Sequence, residues 1–140
     1  MLKYIVVLSL ILYVVTCNIS QANACFINAL FSYHVHVINN LPPNTDPLIV
    51  HCASKDNDMG NHTVTTNQEF HFHFCKRPVV TLFFCHLWWG GYKDIAFEAF
   101  NAKWDNSICT DRKCYWSARD DGIYFSGDPP TNYVKAYDWE

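Results

Sequence analysis

The chain has 140 residues, half of them hydrophobic and 16% aromatic, with a formal net charge of −3 and seven cysteines. That length suits one domain once a short leader is set aside. A mildly acidic chain without a basic run offers no electrostatic footprint for nucleic acid or for anionic lipid.

The N-terminus reads MLKYIVVLSLILYVVTCNISQANAC. Lys3 precedes an apolar run from Tyr4 to about Val15, and polar residues then lead to Ala22-Asn23-Ala24. A basic start, a hydrophobic middle and an A-x-A site read as a secretory signal peptide over residues 1–24, leaving a mature domain over 25–140. The apolar run is shorter than the roughly 20 residues a spanning helix needs, and no later stretch is longer. The mature chain is therefore expected to be secreted and extracellular, and not membrane-embedded. Cys25 would follow the cut, but Ala22 and Asn23 are poor lipobox residues. Cys17 leaves with the signal, and Cys25, Cys52, Cys75, Cys85, Cys109 and Cys114 remain as an even set in an oxidising compartment. Disulfides are their expected use, and spacing does not choose among the pairings.

The mature part shows short aromatic and β-branched runs separated by turn residues. YHVHVINNL alternates Tyr33, Val35 and Val37 against His34 and His36. LIVHC follows the breaker PPNTDP, and EFHFHF alternates Phe70, Phe72 and Phe74 against Glu69, His71 and His73. VVTLFFCHLWW is a longer apolar run, expected to be a strand buried on both faces. KDIAFEAF, whose Ile95, Phe97 and Ala99 alternate, KCYWSAR and GIYFSG complete the set. Period-two alternation marks half-buried strands, and short strands at regular spacing suggest a sandwich or barrel. The expectation is an all-β, antiparallel β-sandwich of about seven short strands, stabilised by disulfides. Asp120-Asp121 before Gly122 reads as a hairpin turn rather than an acid pair. Asn61-His62-Thr63 is an N-glycosylation acceptor, expected in an exposed loop. Asn18-Ile19-Ser20 also matches but lies in the expected signal.

VHCASKDNDMGNH, residues 50–62, divides into a strand end and a loop of turn formers, Asp56, Asn57, Asp58 and Gly60. Calcium is the sharper alternative, but Met59 takes a ligand position and no Glu closes the loop, so a plain turn is expected. Together with FHFHF, TLFFCHLWWG, FEAF, C-x-x-x-x-C-Y-W and DGIYF, this stretch resembles the plant self-incompatibility protein family, also called S-protein homologues. The resemblance runs from about Tyr33 to Phe125. Its most specific part is the signature of His51, Cys52, Ser54, Lys55, Asp56, Asp58, Gly60 and His62.

The resemblance implies a small secreted β-sandwich in a family whose founding members are stigma-side determinants of poppy-type self-incompatibility. It implies signalling or recognition rather than catalysis. It also places the family's usual cysteines at Cys52, Cys85, Cys109 and Cys114. Cys109 with Cys114 and Cys52 with Cys85 is the preferred pairing, with the crossed pairing as competitor. Cys25 and Cys75 are additions that form a third bond or stay as free thiols. Asn67 stands where many relatives place a turn glycine, and Asn also tolerates the left-handed conformation.

Histidine carries the best case for metal or hydrolytic chemistry. His34 with His36, and His71 with His73, each share one strand face, and H-x-H on a strand can supply two ligands to zinc or copper. Four imidazoles converge if these strands are neighbours. The valines and phenylalanines between them claim the inward faces, so a solvated histidine face is expected, with Glu69 as the nearby carboxylate and no cofactor. His51 beside Cys52 does not suggest a nucleophile, because a disulfide cysteine has no thiolate. Trp88, Trp89, Trp104 and Trp116 are expected in the core, with Trp139 the exception. The expected partner is a cell-surface receptor or another extracellular protein, met through loops at Asn39–Asp46, Lys55–His62, Trp89–Lys93, Asn101–Lys113 and Ser126–Asn132. The alternatives are a metal-binding or hydrolytic secreted protein, or a toxin-like effector.

Overall fold

A strand that presents every second side chain to a core must have a partner sheet to face, and the alternating runs of this chain supply two. The computed structural model describes residues 1–13 and 32–140. Residues 2–13 are helical with exposed apolar side chains, and no helix among the described residues is long and apolar enough to cross a membrane. The expected cleavage site, Cys17 and Cys25 lie outside the described residues.

The β unit contains β1 (Ser32–Asn39), β2 (Leu48–Ala53), β3 (Asp58–Val64), β4 (Glu69–Cys75) and β5 (Leu82–Trp89). It continues with β6 (Lys93–Asn101), a 3-10 turn at Thr110–Arg112, β7 (Lys113–Arg119), β8 (Gly122–Ser126) and β9 (Val134–Tyr137). One sheet runs β4-β1-β7-β8-β9 and the other β3-β2-β5-β6. The two inner faces interdigitate through rings: Phe72 meets Phe83 at 5.0 Å, and Phe97 lies 4.7 Å from Trp116 and 5.3 Å from Tyr137. Val35, Val37, Val50, Leu48, Leu87 and Ile123 are fully enclosed around them. Each such side chain contributes roughly 1.5–3 kcal/mol of burial.

The all-β sandwich is as expected, with two strands more than the seven read from the sequence. One is β3, in the stretch read as a loop; the other is β9, whose VKAY is too short and exposed to show a pattern. The pairing is not purely antiparallel either. β1 and β7 run parallel, with His34 opposite Lys113 and Val37 opposite Trp116, a non-local match that no local pattern announces. The long apolar run is not buried on both faces. Its strand begins at Leu82, Phe84 is 47% exposed, and His86 and Trp88 also point outward. Trp88 covers itself by stacking on His86 at 3.7 Å.

Turns are fixed by side chains suited to them. Asn67 adopts φ 65° and its N–H donates to the Asn39 carbonyl at 2.7 Å. Asn39 is fully buried, and its amide donates to the Val64 carbonyl while its Oδ1 accepts from the Leu41 N–H. Two buried polar groups are thereby satisfied where β1 leaves its sheet.

Candidate functional site

The signature stretch builds a corner. Nε2 of His51 on β2 donates to Oδ1 of Asp58 at the start of β3 at 2.6 Å, and the Gly60 N–H donates to the same oxygen at 2.8 Å. Both bonds hold the Asp58 carboxyl below its usual range, the Gly60 amide contributing most. Ser54 Oγ accepts from the Asn57 N–H at 3.2 Å, and His62 donates to the Met59 carbonyl at 2.7 Å while stacking on Phe70. Gly60 takes φ 71°, a conformation costly for a side chain. Asp58, Gly60 and His62 therefore lie in a strand and not in the loop read from the sequence. The Asp58 hook and the glycine let a run of turn formers pair with β2. The loop proper is residues 54–57, with Lys55 and Asp56 exposed.

The histidine pairs do become neighbours, because β4 lies beside β1. Nδ1 of His34 and Nε2 of His71 are 2.9 Å apart, and Nδ1 of His36 donates to Glu69 Oε2 at 3.0 Å. His36 is sandwiched between the rings of His71 (4.2 Å, 11°) and Tyr115 (4.5 Å, 12°), and His73 lies 5.7 Å from His34. Tyr115 donates to Asp128. Burial, followed by the neighbouring histidines, holds His34 and His71 below the ordinary imidazole range. Among the described residues no three ligating side chains are grouped to hold one metal ion. The His34 and His71 nitrogens point at each other rather than at a third point.

Two disulfides join pairs of described residues in the β unit. Cys52–Cys85 joins directly opposed residues of β2 and β5, with Cα atoms 4.0 Å apart and both residues fully buried. Cys109–Cys114 closes the segment entering β7. Cys75 is also oxidised in a disulfide, while Cys25 lies outside the described residues. Cys52 is thus no thiolate beside His51.

The candidate binding loops divide between two ends of the sandwich. Residues 40–47 and 90–92 sit at one end, where Lys93 Nζ donates to the Asp120 carbonyl. Residues 54–57, 76–81, 102–112 and 127–133 sit at the other. There the Ala102 N–H donates to Thr81, Lys76 Nζ to Asn106, and Thr110 Oγ1 to the Asp128 carbonyl. A Cβ on Gly127 would collide with the Thr110 side chain, so this glycine lets the two loops touch. A crevice between Tyr33, Lys76, Trp104 and Asn106 opens at the same end. Ile108 is exposed beside it.

Trp116 is in the core, its indole N–H donating to the Ala99 carbonyl. Trp89 and Trp104 pack at its edge, as expected. Trp88 does not, for the reason given above. Trp139 reverses its expectation: it packs near Trp89 and donates to the Arg119 carbonyl at 2.7 Å. A second His–Asp contact, His86 to Asp94 at 2.7 Å, escaped the sequence reading. His86 stands opposite His51 in register, a relation visible only once the strands are aligned.

Comparison with known proteins gives one consistent neighbourhood. The profile of the family described as plant self-incompatibility protein S1 matches residues 34–139. S-protein homolog 5 of Arabidopsis thaliana is 40% identical over 79 residues, 54% of this chain and 58% of that protein. Self-incompatibility protein S1 of Papaver rhoeas is 35% identical over 88 residues, 62% and 63% of the two chains. The matches thus span about six tenths of the length of these two relatives. S-protein homolog 29 of Arabidopsis thaliana is 33% identical across 98% of this chain and 96% of its own. A solved structure of a self-incompatibility protein homologue superposes with a TM-score of 0.62 at 20% identity, covering 78% of this chain and 95% of the other. That homologue is described as one of a widespread family of small, highly stable, secreted proteins from plants.

Proposed function

We propose, on the premise that the chain belongs to the plant self-incompatibility protein S1 family, that it is an extracellular recognition ligand that binds a cell-surface receptor or another extracellular protein. Residues 1–24 act as its export signal and residues 25–140 as the mature domain, in keeping with the secreted character described for the homologous family. The reading is one of binding rather than catalysis.

The observation that carries it is the division of labour in the sandwich. The polar groups of His51, Ser54, Asp58 and Gly60 are engaged with one another and with local backbone. They build the frame. The loops at 102–112 and 127–133 expose residues 105–108 and 129–132, are tied together and are anchored by the buried Cys109–Cys114. A rigid sheet pair presenting a braced loop cluster suits protein recognition. The net charge of −3 gives no support to nucleic acid as partner.

The test is saturable binding of labelled mature protein to intact plant cells, compared with an Asp105→Lys, Ile108→Ala variant. Loss of binding with an unchanged melting midpoint supports the reading. Absence of saturable binding across reproductive and vegetative tissues overturns it.

A further inference from the structure

The outer face of the β1–β4 seam carries more imidazole than a solvated face requires. The His34 and His71 rings are inclined by only 11°, with centroids 5.1 Å apart and nitrogens 2.9 Å apart. That centroid distance is close to the largest the nitrogen separation and two ring radii permit. The nitrogens therefore meet head-on, one donating its N–H and the other accepting. A tetrahedral zinc with bonds of about 2.0–2.1 Å would hold its nitrogens further apart and angled towards the ion. The geometry is that of a shared proton.

We propose that His34 and His71 form a proton-operated latch on edge strand β4, closed while a single N–H lies between the rings and opened when both nitrogens carry one. Neutral imidazole has one donor and one acceptor nitrogen, while the imidazolium has two donors. With both rings charged the facing N–H groups repel, and the bond becomes a clash. β4 yields from Glu69 to Phe74, because it is an edge that pairs within its sheet with β1 alone, while the Cys75 disulfide anchors its end. Opening exposes the free edge of β1 and the Phe72 and Phe74 rings, which pack against Phe83.

The surrounding charges set the working range. From β4, His73 and Glu69 face the pair; from β1, His36 does; from the β7 side, Arg112, Lys113 and Tyr115 do. Glu69 alone favours protonation of His71, and it is shared with His36. Desolvation and the neighbouring cations outweigh it, so both rings stay below their ordinary value of 6.5. An unfolded chain then binds more protons than the folded one below that value. The latch's contribution is full above pH 6.5 and is lost as pH falls through the folded values.

Hydrogen exchange of the intact protein, corrected for intrinsic rates, tests this between about pH 7.5 and about pH 5. Protection of residues 69–74 should fall about tenfold on acidification while residues 82–89 of central strand β5 hold theirs. His71→Gln keeps a donor and an acceptor but cannot titrate, and it should abolish the acid response. A β4 protection independent of pH, or a full response surviving in His71→Gln, overturns the proposal. Should that variant not fold, NMR titration of the wild-type rings decides: His34 and His71 must titrate jointly below 6.5, and independent titration at the ordinary value refutes the latch.

Discussion

Nε2 of His51 and Oδ1 of Asp58 stand 2.6 Å apart across the β2–β3 corner, and that carboxylate oxygen also receives the Gly60 N–H. One acid thus fixes a side chain on one strand and the backbone of the next.

Asp58→Asn should weaken the corner and lower the thermal midpoint at neutral pH. The folded carboxyl titrates below its ordinary value of 3.8, so its contribution is present above that value and lost as pH falls through the folded pKa. Wild type and variant should therefore differ at pH 7 and converge at strongly acidic pH. Equal midpoints at neutral pH would show that the corner does not contribute.

Replacing Cys52 and Cys85 together by Ser should cost about 4 kcal/mol on the chain-entropy account, and replacing Cys109 and Cys114 about 2 kcal/mol, since the second loop is much shorter. Their separations are 33 and 5 residues. Urea unfolding of the two double variants checks the order. The second pair should also loosen exchange in residues 102–112, which the first should leave protected.

Phe97→Ala should cost about 3–5 kcal/mol. Its ring lies between Trp116 and Tyr137 at the centre of the inter-sheet contact. Chemical denaturation followed by tryptophan fluorescence measures the loss, and Trp116 should redden as its surroundings open.

Asn61 and Thr63 are both exposed on β3 while His62, between them, turns to Phe70. This presents an acceptor asparagine and its hydroxyl on one open edge. Material secreted from a eukaryotic host should lose mass on treatment with peptide-N-glycosidase, and Asn61→Gln should secrete without the glycan. An unmodified Asn61 in the wild type would remove the glycan from the picture.

The sequence was most informative where packing is one-sided. Val35 between His34 and His36, and Phe72 between His71 and His73, alternate against polar neighbours, and with Val37, Phe97 and Ala99 these faces enter the core. It misled where local chemistry and burial part company. Asp58 and Gly60 look like loop residues, and it is their bonds within the corner that keep them in a strand. The run around Phe83 and Phe84 looks evenly apolar, yet its outer half is covered only by ring stacking on the surface. The His34–His71 contact could be named as a conditional meeting of strands, but its head-on geometry depends on inter-strand placement that spacing does not encode. Trp139 found a place beside Trp89 because the chain after β9 returns to pair Glu140 with Asp94.

The parallel pairing of β1 with β7 imposes an order on assembly. Every strand of the smaller sheet is synthesised between these two partners. A chain threading out of a narrow conduit must hold the first segment of its larger sheet half-paired until the penultimate hairpin arrives, which raises contact order and retards closure. The interval gives sulfur chemistry on the smaller sheet time to finish first, and leaves the nascent β1 exposed to errant strand partners until it does.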